Sequence, residues 1–310
     1  MTRVNTKKGT TSFSLTKRLS MGDTLFDIVI TAIMFVVCIV ILYPLWFILV
    51  ASVTNPDVVN RGGILLWPTE WFFGGLERIF QHRPLWVGYR NSLVYMVVGT
   101  AINLIVTIPA GYALSRKDLP FRGFLMLLFT FTMFFSGGLI PSFLLINSMG
   151  IRDTLWVMVI PTALSVWNLI ITRSFFDNSM PVELLEAAVI DGCSDFKFFG
   201  TIVLPLSKVI IAVIGLFYAV GHWNSFFHAL IFLNSPDMFP LQLILRNLLI
   251  IGEITQGAMI VDPMAMAHRL RLADQMRYGV IVVSALPLLI IYPFVQKYFT
   301  QGVMVGSLKG

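Results

Sequence analysis

The chain has 310 residues, of which 57% are hydrophobic and 12% charged, and its formal net charge is +6. Soluble domains carry roughly 25% charged residues, so the composition excludes an ordinary soluble globule and implies a membrane protein. The basic excess fits cytoplasmic edges beside anionic membrane lipid, not a nucleic-acid surface. Cys38 and Cys193 have neither the spacing of a disulfide framework nor that of a zinc site.

The first residues form a polar, basic arm (1–24). The apolar run behind it is too long for a cleavable signal core and lacks a small-residue cleavage site, so it is expected to be a retained signal-anchor helix. Segments near the length needed to cross about 30 Å of hydrocarbon lie at 25–50, 92–114, 123–146, 155–175, 207–233 and 278–296. The expected fold is therefore an all-α integral membrane protein of about six transmembrane helices (25–296), ending in a tail at 297–310. Every Lys, Arg, Asp and Glu falls in a connection or at a span end, whereas Asn103 and Asn168 lie inside spans. Pro44, Pro109, Pro161, Pro287 and Pro293 also lie within spans, where neighbours must re-satisfy the freed carbonyls.

With six spans both termini share a side. The arm (Arg3, Lys7, Lys8, Lys17, Arg18), the second-to-third connection (Arg116, Lys117, Arg122), the fourth-to-fifth connection and the tail together hold more than half of the 22 Lys and Arg residues. That side is expected to be cytoplasmic. The opposite connections are 51–91, rich in turn residues and in tryptophans suited to the headgroup zone, the short 147–154, and 234–277. Within the last, Leu241 to Ile251 reads as a helix lying on the membrane.

The most distinctive stretch is the connection at 176–206. Pro181 suits a first helical turn, and Glu183 and Glu186 favour its positive end. Asp191-Gly192 breaks that helix. Ser194 is placed to cap a second one, on which Phe196, Phe199 and Val203 share a face by i, i+3, i+7 spacing, up to Pro205. No lysine stands in a phosphate-binding loop, and there is no G-x-S-x-G, H-E-x-x-H or paired-cysteine motif. The chain is therefore not expected to hydrolyse ATP itself or to carry a cofactor of its own. His222 and His228, at i and i+6, are expected to be packing residues. Spans without a carboxylate or lysine weaken an ion-driven mechanism, although backbone carbonyls at broken helices also hold sodium.

Glu186-Ala187-Ala188, then Gly192, then Ile202-x-Leu204-Pro205 resembles the signature of permease subunits of binding-protein-dependent ABC importers. The likeness covers essentially the whole chain. Tyr89-Arg90-Asn91-Ser92, Gly111-Tyr112-Ala113-Leu114-Ser115-Arg116, Trp223-Asn224-Ser225-Phe226 and the ending from Gln301-Gly302 to Lys309-Gly310 resemble sugar-importer permeases of the maltose type. Phe135-Ser136-Gly137-Gly138-Leu139-Ile140-Pro141 is similar to a branch for complex oligosaccharides, acidic polysaccharide fragments among them. Two positions depart from the pattern: Cys193 stands where Ala is usual, and Val209 where a proline often follows L-P-L.

The resemblance implies a sugar importer in the bacterial cytoplasmic (inner) membrane, with both termini cytoplasmic. A second homologous permease would complete the pathway, two cytoplasmic ATPase subunits would bind ATP and Mg, and an extracytoplasmic sugar-binding protein would deliver the cargo. Glu183, Glu186, Ala187, Ala188, Asp191, Gly192, Ile202, Leu204 and Pro205 would then form the ATPase-coupling element. Trp223, Asn224 and Phe227 are candidates for the sugar path, since rings stack on sugar faces and amides bind hydroxyls. Gly257, Asp262 and Pro263 are candidates for facing the binding protein. The alternatives are another solute class, an ion-coupled secondary transporter, and a membrane receptor or scaffold.

Overall fold

The computed structural model describes residues 21–256 and 263–307. The chain divides into two compact units, residues 1–48 and 49–310. The first carries most of α1 (Met21–Ala51), predominantly apolar on every side beyond Asp27 and with Pro44 inside it. A helix with no polar face requires an apolar surrounding.

The second unit begins with two short helices, α2 (Pro56–Asn60) and α3 (Gly74–Gln81). Gln275 ties this region down from a fully buried position. Its amide donates to the carbonyls of Ser52 and Phe72 and accepts the Gly75 N–H at 2.6 Å. α4 (Arg83–Ser115) follows, starting well before the expected 92 because Pro84 suits a first turn. It is the spine of the unit, with α8, α12 and α14 packed along it.

The third expected span is two helices, α5 (Arg122–Phe134) and α6 (Leu139–Ser148), bent by 110° across Phe135–Gly138. The fourth is also broken, into α7 (Leu155–Val159) and α8 (Val166–Ser179), neither long enough to cross alone. Next come α9 (Val182–Ile190), α10 (Asp195–Phe198), a π-helical turn at Phe199–Val203 and the single turn α11 (Leu204–Leu206). A 79° bend at Ser207 leads into α12 (Lys208–Trp223), and a break at Asn224-Ser225 separates it from α13 (Phe226–Phe232). The chain ends with α14 (Leu241–Gln256) and the long α15 (Pro263–Ser307).

Among the described residues, three helices are long and apolar enough to span a membrane, or up to five if each bent pair is one span. The expected spans beginning at 123, 155 and 207 are each broken into two helices. One expectation is corrected outright. α14 is not a surface helix: Leu241, Leu243 and Leu245 are buried, and the helix packs against α4 and α15.

Candidate functional site

The connection at 176–206 folds as a closed hairpin. Pro181, in extended conformation, sits just ahead of α9, and Glu183 lies in the helix's first turn. At the other end Gly192 takes φ +72, the left-handed conformation that only glycine enters without penalty. This lets the Gly192 N–H reach the Val189 carbonyl (3.0 Å) and the Cys193 N–H reach Ala188 (2.9 Å). The pair of bonds is a Schellman closure, which satisfies the last carbonyls of the helix. Ser194 then starts α10, but through its backbone alone: its carbonyl accepts the Phe198 N–H at 2.9 Å, and its side chain makes no capping bond.

Of the expected face, Val203 is buried and Phe199 packs against the same cluster, while the π turn at 199–203 widens the helix and brings Phe198 in as well. Phe198 and Val203, five residues apart, sit in a cluster with Ile108, Phe176 and Ala188. Phe196, expected on that face, is 91% exposed. Pro205 has no N–H to offer, and the chain turns at the buried Ser207. There the Ser207 hydroxyl donates to the Val203 carbonyl at 2.6 Å, filling an acceptor that an unbroken helix would have satisfied from the backbone.

The signature residues thus divide in two. Glu183, Glu186, Ala187, Asp191, Gly192 and Pro205 are exposed, whereas Ala188 is buried and Ile202 and Leu204 are half-buried. Of the two alanines only Ala187 presents a close-approach surface. Ala188 is small because it lies under the phenylalanines.

An ionic edge, absent from the sequence expectations, ties this hairpin to the bundle. Arg116, just past the end of α4, donates to Asp118 and, at 2.9 Å, to Asp195 at the start of α10. The guanidinium–carboxylate bond holds the Asp118 carboxyl below its ordinary range and raises the Arg116 guanidinium. Arg173 and Arg122 donate to the Leu114 and Ser115 carbonyls at 3.2 and 3.1 Å, and both flank Asp177. Arginines at a helix C-terminus satisfy orphan carbonyls and oppose the negative end of the dipole. Between the ends of α4 and α8 and the side of α9 lies a cleft of about 650 Å³, with Leu184, Leu185 and Phe198 in its walls and Glu186 among its polar residues. Ile190, 85% exposed, and Val189 also line it.

The candidates for the sugar path separate as well. Trp223 is fully buried, its indole N–H on the Ser284 carbonyl (3.2 Å) and its ring edge-on to Tyr89. It packs α12 against α15 and faces no open surface. Asn224 and Phe227 are exposed, and the Asn224 amide donates to the Val220 carbonyl at 2.9 Å. Gly257 and Asp262 lie outside the described residues. Pro263 opens α15, and its side chain is likewise outside the description.

A second cavity, of about 450 Å³, opens at the break between α7 and α8 and is closed from the other side by α12 and α13. A broken helix inside a membrane needs outside partners for its backbone, and they are present. The Asn103 amide donates to the Thr162 carbonyl (2.6 Å), Tyr218 accepts the Ser165 N–H (3.0 Å), and His228 Nε2 donates to the Val157 carbonyl (2.8 Å). Asn103 Oδ1 accepts from His222 Nε2 at 2.7 Å, and the Tyr218 and Thr107 hydroxyls pair at 2.7 Å. Both histidines thus have packing roles, as expected. The polar network around them was legible only as isolated polar residues in apolar runs.

The family model for the inner membrane component of binding-protein-dependent transport systems matches residues 84–305. The polygalacturonan/rhamnogalacturonan transport system permease protein YtcP of Bacillus subtilis is 39% identical over 94% of this chain and 100% of its own length. The protein LplC of Bacillus subtilis is 37% identical over 86% of this chain and 89% of its own. Among solved structures, a bacterial ABC transporter involved in the import of the acidic polysaccharide alginate matches with a TM-score of 0.80 and 30% identity, over 90% of this chain and 98% of the other. The chain is an all-α membrane protein and belongs to the family of inner membrane components of binding-protein-dependent transport systems.

Proposed function

We propose that this chain is the membrane-spanning subunit of an ATP-driven importer of acidic oligosaccharides. The observation that carries the reading is its 39% identity, along nearly its whole length, to a permease named for polygalacturonan and rhamnogalacturonan. The likeness to an alginate importer, 30% identical over 90% of this chain, supports the same substrate class.

In this reading the chain catalyses nothing and holds no cofactor. Two cytoplasmic ATPase subunits bind ATP and Mg, a second homologous permease completes the pathway, and an extracytoplasmic binding protein delivers the sugar. The transmembrane domain is 25–296 and lies in the bacterial inner membrane. The arm at 1–24, the loop at 176–206 and the tail at 297–310 are cytoplasmic. The loops 51–91 and 234–277 are extracytoplasmic, with Gly257, Asp262 and Pro263 toward the binding protein. Closure of the ATPase pair moves the α9–α10 hairpin as a lever. Glu183, Glu186, Ala187, Asp191 and Gly192 supply its outer face, while Ala188, Ile202, Leu204 and Pro205 fix its shape and its joint to α12. A lever must be stiff, and the Schellman closure at Gly192 and the Arg116–Asp195 link supply stiffness.

The test is uptake of labelled oligogalacturonate by proteoliposomes holding this chain with a second permease, the ATPase subunits and the sugar-binding protein. Uptake should require internal ATP and the binding protein, and should survive collapse of ion gradients. Uptake that needs a gradient and no ATPase would overturn the reading.

A further inference from the structure

The cavity at the α7–α8 break holds a polar side chain that the packing does not use. Asn168 is 6% exposed and lies in the cavity wall, and among the described residues its side-chain amide makes no hydrogen bond. The amide is not sealed off from the accessible surface, so it is open to pair with a polar group bound in the cavity. Around it the other polar groups have spent their hydrogens. Ser225 Oγ donates to the His222 carbonyl at 2.7 Å and keeps its lone pairs. His222 and His228 each commit Nε2 as donor, which leaves Nδ1 as an acceptor in the neutral imidazole. The start of α8 offers little to an anion, since the Ser165 N–H goes to Tyr218 and the Asn168 N–H to Ser165 Oγ. Among the described residues, no Lys or Arg lines the space. Phe217 and Pro161, both exposed, give it apolar wall.

We propose that this cavity is a sugar-contacting site within this subunit, that it takes the hydroxylated edge of a ring and not its carboxylate, and that Asn168 is its central contact. A wall of acceptors with one amide matches hydroxyls, which both donate and accept. A carboxylate brings only acceptors and, with no cation to meet it, would be left unpaired. The charge of an acidic substrate is then met outside this cavity. The inference rests on the importer reading above and deepens it.

The experiment uses the complete reconstituted importer with two probes, trigalacturonate and its methyl ester. Asn168→Leu should raise the transport KM for both probes by the same factor, about five- to tenfold, the worth of one or two hydrogen bonds. Assembly is checked by co-purification of all subunits. For a variant that fails to assemble, Ser225→Cys in a background with Cys38 and Cys193 replaced by Ser gives a second readout, in which trigalacturonate should slow maleimide labelling severalfold. An unchanged KM in Asn168→Leu, or labelling indifferent to sugar, overturns the cavity assignment and leaves the importer reading intact. A loss confined to the free acid overturns the hydroxyl assignment. Wild-type complex that moves neither probe overturns the oligosaccharide reading itself.

Discussion

The backbone N–H of Cys193 donates to the carbonyl of Ala188 at 2.9 Å, across a left-handed Gly192, and so locks the end of α9 into a turn that aims α10 back at the bundle. A Cβ built on Gly192 meets nothing within 4 Å. The demand for glycine is therefore conformational and not steric. Gly192→Val should cost about 1–2 kcal/mol of local stability and loosen the turn. Binding-protein-stimulated ATP hydrolysis should fall while the subunits still co-purify. Equal hydrolysis in variant and wild type would show that the turn's stiffness plays no part.

Arg116 and Asp195 pair at 2.9 Å with side chains 18% and 71% exposed. A pair so open to water is worth about 0–1 kcal/mol, so Asp195→Ala should barely move the melting temperature. Arg116→Ala should do more, because it frees Asp118 and Tyr112 as well. Differential scanning fluorimetry of the purified complex orders the two, and the Asp195 effect should vanish at high salt.

Gly99 lies where a Cβ would come within 2.3 Å of His222 Nε2. His222 is held by Asn103 and cannot swing aside without leaving two buried polar groups unpaired. Gly99→Ala should therefore push α4 from α12 and destabilise the bundle by about 1–3 kcal/mol. A melting temperature equal to the wild type's would mean that the two helices are not in register as described.

Asp153, itself at φ +57, accepts the Ser235 hydroxyl (2.6 Å) and the N–H groups of Ser235 and Asn234, so two loops on one side of the bundle are clasped. These bonds, the Ser235 side chain first, hold its carboxyl below the ordinary range. A depressed carboxyl stabilises the fold above its unfolded pKa, about 3.9, and loses that stabilisation as pH falls through the folded value. Asp153→Asn should melt lower than wild type at neutral pH, and the gap should close below about pH 4. A gap unchanged at low pH would contradict the clasp.

How much of this was legible in the sequence follows from where the polar groups find partners. The apolar runs and the hairpin at 176–206 were readable, because their signals (length, Asp191-Gly192, the spacing to Pro205) are local. The breaks at 160–165 and 224–225 were not. Their backbone groups are satisfied from distant positions, as at Thr162 by Asn103 and at Ser165 by Tyr218. The expected face holds at Phe199 and Val203 but not at Phe196, because the π turn at 199–203, invisible to a 3.6-residue period, shifts the register between Phe196 and Val203. Trp223 was read as a sugar contact from its chemistry alone. Burial makes it a packing residue, so Trp223→Ala should cost about 3–5 kcal/mol, whereas Asn224→Ala should leave the melting temperature nearly unchanged.

The most direct test of the account is Glu186→Lys in the complete importer, with sugar uptake and binding-protein-stimulated ATP hydrolysis measured on the same vesicles. Glu186 is exposed beside the cleft at the side of α9, so reversing its charge leaves the core untouched. Uptake and stimulated hydrolysis should fall together, with all subunits still assembled. Uptake and hydrolysis at wild-type levels would contradict the claim that this hairpin is where ATP energy enters the chain.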